Sequence, residues 1–186
     1  MLYSRPATIN EALAVLTSDN GAKCLAGGAT LVANINAGLP RPTQLVSLQS
    51  IAELQGVSVD PDGAIRIAAM TPHAVVAADA RLAGGLALVR EAASQIAHPA
   101  IRNMATLGGS LADADPSADY PCALLAAGAE VELAGPRGRR LCSIDGFFLR
   151  RYTSVLEFDE IIIAVRLPPS ESVEASTPVS RSPFCS

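Results

Sequence analysis

Residues 105–119 read ATLGGSLADADPSAD, and the fold and the candidate site of this chain are predicted from this stretch outward. Gly108 and Gly109 follow a threonine, so the backbone there can turn through conformations that a Cβ would exclude and can leave several N–H groups uncovered. A similar turn lies upstream, where residues 23–31 read KCLAGGATL. Because backbone donors that converge on one point bind anions, we predict that the two turns cradle a pyrophosphate.

A Gly-Gly pair taken alone more often only closes a turn, and this alternative applies to each of the two pairs. Two pairs, each beside a threonine and each flanked by apolar residues, favour the anion-binding interpretation. Neither pair fits a familiar nucleotide motif, because the lysine of the Walker pattern and the three spaced glycines of the Rossmann pattern are absent.

The composition bounds the class of protein. A chain of 186 residues can form one domain or two small lobes that share a ligand, and a hydrophobic share of 49% suffices for a core. The net charge of −4 argues against a nucleic-acid surface. No run of about 18 apolar residues and no signal-peptide pattern is present, so the expected compartment is the cytoplasm. The four cysteines are too scattered for a CxxC motif and the two histidines lack ligand-like neighbours, so no metal site is predicted.

The sequence pattern of residues 1–56 predicts a small α/β lobe. A capping box at residues 8–11 begins a helix that ends near residue 20. Strands are predicted at 23–26 and 43–48, with a helix at 31–37 between them. The resulting βαβ unit places the first glycine turn at a helix N-terminus, where an anion is favoured.

Residues 57–168 predict a second lobe of mixed helices and strands. Alternating apolar residues on both sides of Asp62-Gly63 are typical of a hairpin, and further helices are predicted after Thr71-Pro72 and along the face of residues 86–96. We expect Pro99 to keep the following segment extended and Asp119 to cap a helix over 120–127.

The end of the second lobe is predicted to be a hairpin followed by a buried strand. Strands at 129–134 and 141–144 flank a turn whose tip carries Arg137, Arg139 and Arg140 in solvent. The apolar run at 161–167 is typical of a strand buried on both faces. Residues 169–186 are rich in serine and proline and predict a disordered or aberrant tail.

Five motifs in this order resemble the FAD-binding medium subunit of molybdenum hydroxylases, the family of the flavin subunits of carbon monoxide dehydrogenases and xanthine dehydrogenases. The motifs are AGGATL at 26–31, GLPRP at 38–42, IRN at 101–103 leading to TLGGS at 106–110, ADP at 114–116 with Asp119, and DEII at 159–162. The resemblance covers residues 1 to about 168. It implies an α+β, PCMH-type FAD-binding fold, with a small N-terminal βαβ lobe and a larger mixed lobe that hold an extended FAD between them.

The resemblance also implies which residues contact FAD. The first pyrophosphate-side loop would be Lys23 with Leu25, Ala26, Gly27, Gly28, Ala29, Thr30 and Leu31. The second loop would be Thr106, Gly108, Gly109 and Ser110, with Ile101, Ala105 and Ala112 lining the cofactor. Asp119 matches the acid that accepts from the flavin's polyol hydroxyls, and Ile161 and Ile162 match apolar residues near the isoalloxazine ring. Ala29 departs from the family, in which Thr, Gln or His is common at this place.

The function that the resemblance implies is electron transfer, with the flavin carrying the redox chemistry and no catalytic side chain. The implied partners are a molybdopterin-containing large subunit and a 2Fe-2S small subunit, and the implied acceptor is NAD, a quinone or oxygen. A stand-alone flavin oxidoreductase and a truncated, non-catalytic fragment with weak or no flavin binding are the alternatives. Residues 169–186 favour the fragment, because they match no family motif. For Asp113, Asp115 and Asp119, an acid/base carboxylate pair is an alternative to capping and hydroxyl binding.

Overall fold

The computed structural model describes residues 1–173. The N-terminal part consists of β1 (Leu2–Ser4), α1 (Ile9–Ser18), β2 (Lys23–Leu25), α2 (Ala29–Asn36) and β3 (Gln44–Ser47). Its three strands form a parallel sheet in the order β1-β3-β2. The predicted βαβ unit is confirmed, since β2 and β3 pair in parallel on either side of α2. The first strand was not predicted, because three exposed or half-exposed residues carry no alternation.

The capping box that begins α1 is also confirmed. The Thr8 Oγ1 accepts a hydrogen bond from the Glu11 N–H at 3.2 Å, and the Glu11 carboxylate accepts from the Ala7 N–H at 2.8 Å. These bonds satisfy N–H groups that a helix N-terminus otherwise leaves unpaired.

The rest of the described chain forms an antiparallel five-stranded sheet with helices packed against it. The elements are β4 (Val57–Val59), β5 (Ile65–Ala68), α3 (His73–Ala78), α4 (Ala87–Gln95), α5 (Pro99–Arg102), α6 (Leu107–Asp113), α7 (Tyr120–Ala126), β6 (Glu130–Gly135), β7 (Gly138–Ser143), β8 (Phe148–Arg150), β9 (Thr153–Ser154), β10 (Ile161–Leu167) and α8 (Ser170–Val173). The strand order of the five-stranded sheet is β4-β5-β10-β6-β7, and β8 and β9 form a separate two-stranded ribbon. Within residues 1–173, no helix is both long and apolar enough to cross a membrane.

The central strand β10 connects two hydrophobic cores. Ile161 and Ile163 belong to the core that includes α1, whereas Ile162, Val165 and Leu167 belong to the larger core. Successive side chains of a strand normally point to opposite faces of the sheet. The register shift between Ile162 and Ala164 reverses this alternation, so that Val165 packs into the same core as Ile162. The predicted burial of this strand on both faces is confirmed.

Pro99 does not act as predicted. It occupies the first turn of the short helix α5, where its missing N–H costs little and its fixed φ suits a helix. The extended conformation falls on the preceding residue, His98, with φ −113° and ψ 165°.

The arginine hairpin is longer than predicted. Strands β6 and β7 continue to Gly135 and Gly138, so Arg139 and Arg140 lie within β7 and only Arg137 lies at the tip. All three arginines are exposed, as predicted. The Arg139 guanidinium is 2.6 Å from the Glu53 carboxylate, and the Arg140 guanidinium is 2.7 Å from Glu160.

The predicted disordered tail is wrong at its beginning. Residues Ser170–Val173 form the helix α8, which packs near the 3-10 turn Gly84–Leu86. The remainder of the predicted tail, residues 174–186, lies outside the described part of the chain.

Candidate functional site

A cleft of about 610 Å³ is lined by both glycine-containing segments, and this volume is in the range of small-ligand sites. The predicted site residues that line it are Lys23, Ala26, Gly27, Gly28, Ala29, Thr30, Leu31, Ile101, Ala105, Thr106, Gly108, Gly109, Ser110, Ala112, Asp119, Ile161 and Ile162. Leu25 is not part of the lining. Its carbonyl accepts from the Leu48 N–H at 3.0 Å, as expected of the last residue of β2, and its contact with a ligand stays a prediction.

The first glycine segment connects β2 to α2 and has unpaired backbone donors. Gly28 precedes the helix with φ +81°, a conformation that L side chains rarely adopt, and its carbonyl accepts the Val32 N–H at 3.0 Å. The amides of residues 27–31 donate to no acceptor within residues 1–173. Five consecutive N–H groups therefore surround the N-terminus of an eight-residue helix at the cleft, an arrangement that binds anions.

The second glycine segment differs from its prediction, because Gly108 and Gly109 lie inside the first turn of α6 and not in a turn before it. Thr106 caps this helix, and its Oγ1 accepts from the Gly109 N–H at 3.2 Å. The amides of Leu107, Gly108 and Ser110 donate to the carbonyls of Thr71, Ala69 and Thr106 at 2.8–3.1 Å. This segment thus offers no uncommitted amides, and the expectation that it does is wrong.

Glycine is required at position 108 because another chain segment approaches closely. A Cβ at Gly108 would lie 2.6 Å from the Ala69 Cβ and 2.9 Å from the Ala69 carbonyl oxygen. The sequence pattern identified the position correctly but not the reason for it, since α6 packs against the end of β5 instead of exposing its amides.

The two glycine segments touch each other at Gly27. A Cβ there would lie 2.0 Å from the Met104 carbonyl oxygen and 2.8 Å from the Ala105 Cα. The loop before α2 is therefore in direct contact with the loop before α6, and the two walls of the cleft are held together by backbone contact.

Acidic residues line the cleft beyond α6. Burial, followed by the charge of Asp115, raises the pKa of the Asp113 carboxyl. Asp115 is engaged in a turn, because its Oδ1 accepts from the Ser117 N–H at 2.9 Å and from the Ser117 hydroxyl at 2.8 Å. Asp119 precedes α7 as predicted, but its exposed side chain makes no capping hydrogen bond. The predicted cap is wrong, because Asp119 has helical φ and ψ (−76° and −27°) instead of the extended backbone that an N-cap requires.

Apolar residues and a buried carboxylate, which is paired with an exposed arginine, form the remaining wall. Ile161 and Ile162 are almost fully buried and are the first two residues of β10. Next to them, both Glu160 carboxylate oxygens accept from Arg140, from Nε at 2.8 Å and from Nη2 at 2.7 Å. The Arg140 hydrogen bonds hold the pKa of Glu160 below its ordinary value, so this carboxylate is ionised and neutralised by a partner.

His73 lines the cleft, although the sequence suggested no binding role for it and its only considered role, as a metal ligand, was rejected. Its Nδ1 lies 3.1 Å from the Tyr120 hydroxyl, and both side chains are buried. Burial lowers the pKa of His73 to about 4 and raises the pKa of Tyr120, so both groups are neutral at physiological pH. The pair was not predictable, because the two residues are 47 positions apart and neither has a local motif.

Other lining residues were also not predicted. They are Cys24, Asn34, Leu48, Ala69, Met70, Ile96, Ala97, Ser117, Ala118, Leu156 and Glu160, together with Asp113 and Asp115, which the sequence analysis weighed only as carboxylates. Most of them are small or apolar residues whose neighbours along the chain give no signal of a ligand.

Comparison with known proteins identifies the family to which this chain belongs. Residues 1–170 match the family described as the FAD binding domain in molybdopterin dehydrogenase. The chain is 36% identical over 167 residues to the carbon monoxide dehydrogenase medium chain of Afipia carboxidovorans, covering 89% of this chain and 58% of that protein. It is 35% identical over 167 residues to the xanthine dehydrogenase FAD-binding subunit of Escherichia coli O157:H7, covering 90% of this chain and 57% of that subunit.

A solved structure shows the same fold. The structure of carbon monoxide dehydrogenase from Hydrogenophaga pseudoflava, in a form that lacks the Mo-pyranopterin moiety, superposes with a TM-score of 0.87 at 35% identity, over 91% of this chain and 59% of that chain. The chain therefore spans less than two thirds of the length of these relatives. From the family match and these identities, the chain belongs to the FAD-binding domains of molybdopterin dehydrogenases.

Proposed function

We propose that this chain is the FAD-binding part of an electron-transferring flavoprotein subunit, which works within a molybdenum hydroxylase complex. The observation that carries the proposal is the group of five unpaired amides, residues 27–31, which opens into the cleft at the N-terminus of α2. A diphosphate is the part of FAD that this arrangement suits, because each amide can give a hydrogen bond to a charged oxygen.

The other walls fit the remaining parts of FAD. Hydroxyls of Thr106 and Ser110 are available as donors at the diphosphate, and the carboxylate of Asp119 can accept hydrogen bonds from ribityl hydroxyls. Ile161 and Ile162 offer an apolar surface for the isoalloxazine ring. We propose that the ligand lies between two lobes, residues 1–56 and residues 57–168.

Bound FAD would supply the electron-carrying chemistry of such a subunit. The role of the chain is then to bind and orient the cofactor and to shield it from water. Glu160 is fixed in its ionised form by Arg140 and is therefore unsuited to giving or taking a proton. We propose no catalytic side chain.

The proposed partners follow from the relatives, which are named as medium chains or FAD-binding subunits. We propose that a 2Fe-2S small subunit delivers electrons that originate at a molybdopterin-containing large subunit, and that NAD, a quinone or oxygen accepts them. The first test is an absorption spectrum of the purified chain, with the released cofactor identified after denaturation and with added FAD titrated into any colourless protein. Flavin bands and released FAD support the proposal, whereas a chain that does not take up FAD would favour the non-catalytic fragment.

A matched pair of proline variants tests the amide group itself. Thr30 is the second residue of α2 and Asn10 is the second residue of α1, and proline is tolerated in the first turn of a helix. Thr30→Pro removes one of the five amides, and we expect FAD to bind about 10- to 100-fold more weakly, as the loss of one hydrogen bond to a charged group implies. Asn10→Pro should leave FAD affinity unchanged. If Thr30→Pro and Asn10→Pro bind FAD equally well, the amide of Thr30 does not contribute to binding and the proposed role of the amide group is refuted.

A further inference from the structure

The second glycine segment raises the question of which groups donate hydrogen bonds on its side of the cleft. The amides of Leu107, Gly108, Gly109 and Ser110 are all committed to protein acceptors. An anionic group lying against α6 must therefore be held by side-chain donors. This reasoning rests on the function proposed above and extends it to a residue outside the glycine motifs.

His73 lies close to this segment. Its backbone N–H donates to the Ala105 carbonyl at 3.1 Å, and the neighbouring Pro72 pairs with Thr106 in a β-bridge. The imidazole is only 2% exposed and is part of the cleft lining. Its Nε2 has no hydrogen-bond partner within residues 1–173 and is not among the fully buried unpaired polar atoms. A side chain that lines the cleft therefore carries a polar atom that is not fully buried and has no partner in the described part of the chain.

Tyr120 determines which nitrogen of His73 carries the proton. The Tyr120 side chain is fully buried, and its hydroxyl lies 3.1 Å from the His73 Nδ1, the only ring nitrogen or side-chain oxygen at hydrogen-bond distance from it within residues 1–173. If Nδ1 carried the proton, the phenolic O–H would be left buried without an acceptor in the described chain, which is unfavourable. The phenol therefore donates to Nδ1, and the neutral imidazole carries its proton on Nε2.

We propose that the Nε2–H of His73, oriented by Tyr120, donates a hydrogen bond to a diphosphate oxygen of the bound dinucleotide. His73 is then a binding residue and Tyr120 a positioning residue. Together they replace, on the α6 side of the cleft, the amide donors that the second glycine segment lacks.

The test uses the whole chain and a double variant that avoids a buried unpaired group. His73→Phe alone would leave the Tyr120 hydroxyl without its acceptor, whereas His73→Phe combined with Tyr120→Phe replaces both partners by apolar rings and should fold with nearly unchanged stability. FAD and ADP are the two probes, because ADP carries the diphosphate but no flavin. We expect the double variant to bind both about tenfold more weakly or worse than wild type.

A spectroscopic measurement tests the role of Tyr120 independently of affinity. The chain has two histidines, His73 and the exposed His98, so ¹⁵N spectra of labelled histidine are simple to assign. The His73 signals should show an Nε2–H tautomer in wild type and a mixture of tautomers in Tyr120→Phe, and addition of ADP should shift the Nε2 signal of wild type. His73→Gln, which keeps an N–H donor, should restore part of the affinity.

Each outcome decides between the inference and its alternatives. Unchanged affinity for FAD and ADP in the double variant would overturn the inference while leaving the proposed function intact. A loss for FAD but not for ADP would place the acceptor on the flavin half and would overturn the diphosphate assignment. A wild-type chain that binds neither nucleotide would overturn the proposed function together with this inference.

Discussion

Replacing Gly27 by alanine tests the contact that holds the two walls of the cleft together. A Cβ at this position would be 2.0 Å from the Met104 carbonyl oxygen, whereas real Cβ contacts stay above 3.0 Å. One of the two loops must therefore move by about 1 Å, and the obstructing atom belongs to the backbone and cannot rotate away. Overpacking of this kind costs about 1–3 kcal/mol, and we expect the upper end, about 3 kcal/mol.

A smaller effect acts in the opposite direction. Gly27 does not have a positive φ, so alanine reduces the conformational entropy of the unfolded chain and returns about 0.4–1 kcal/mol. The net loss in the free energy of unfolding is then about 2 kcal/mol, which corresponds to a decrease in Tm of roughly 4–8 °C for a chain of this size.

Gly146→Ala is the matched control. Within residues 1–173, its Cβ would meet no atom within 4 Å beyond its own neighbours along the chain, and its φ is not positive. The entropy effect should therefore stand alone, and Tm should stay equal or rise slightly. Thermal denaturation followed by circular dichroism measures both variants, and equilibrium titration with FAD measures the cleft, where Gly27→Ala should bind more weakly than Gly146→Ala. A Tm for Gly27→Ala within about 1 °C of wild type would refute the reasoning, because the predicted loss corresponds to several degrees.

Three further predictions concern single side chains. Asp119→Ala should weaken FAD binding while changing the free energy of unfolding by less than about 0.5 kcal/mol, because the exposed carboxylate caps no helix; a large decrease in Tm would show that it has a structural role. Stability should decrease as the pH falls from about 6.5 towards 4, because His73 with its lowered pKa of about 4 takes up its proton more readily in the unfolded chain. The free energy of unfolding, measured by urea denaturation at several pH values, should decrease over this range in wild type but not in His73→Gln. An equal decrease in both proteins would refute the assignment to His73. Arg140→Ala should destabilise the chain near neutral pH by about 1–3 kcal/mol, since it leaves the buried Glu160 carboxylate without its charged partner and with only the Glu157 N–H as a donor. The loss should shrink from about pH 5 downward as that carboxyl is protonated, and a loss that does not change with pH would argue against the ion pair.

Local patterns predicted most of the helices and strands. The capping box at Thr8, the alternation around Asp62 and the apolar run of β10 are each formed by neighbours in sequence, and all three are confirmed. The same reasoning failed where distant residues decide the conformation. Gly108 and Gly109 were expected to leave free amides, but the acceptor of the Gly108 amide is Ala69, on a segment that no local pattern connects to α6.

For the candidate site, too, the features set by neighbours in sequence were predicted and those set by distant residues were not. The first glycine segment has the expected conformation, because a positive φ at Gly28 is a local requirement that only glycine meets easily. The role of Gly27 and the pairing of His73 with Tyr120 depend on how separate segments pack, and one sequence carries no signal for either contact.

The place of β10 in the chain has a consequence for the order of folding events. This strand occupies residues 161–167, lies between β5 and β6 in the sheet, and supplies side chains to both cores. During synthesis, β5 and β6 must therefore wait for a central partner that is made after both of them. The smaller core cannot close before residue 163 is available, and the larger core cannot close before residue 167 is available. Because such pairing joins segments far apart in sequence, we expect slow folding in one cooperative step, with exposed strand edges in the nascent chain as the stage most open to aggregation.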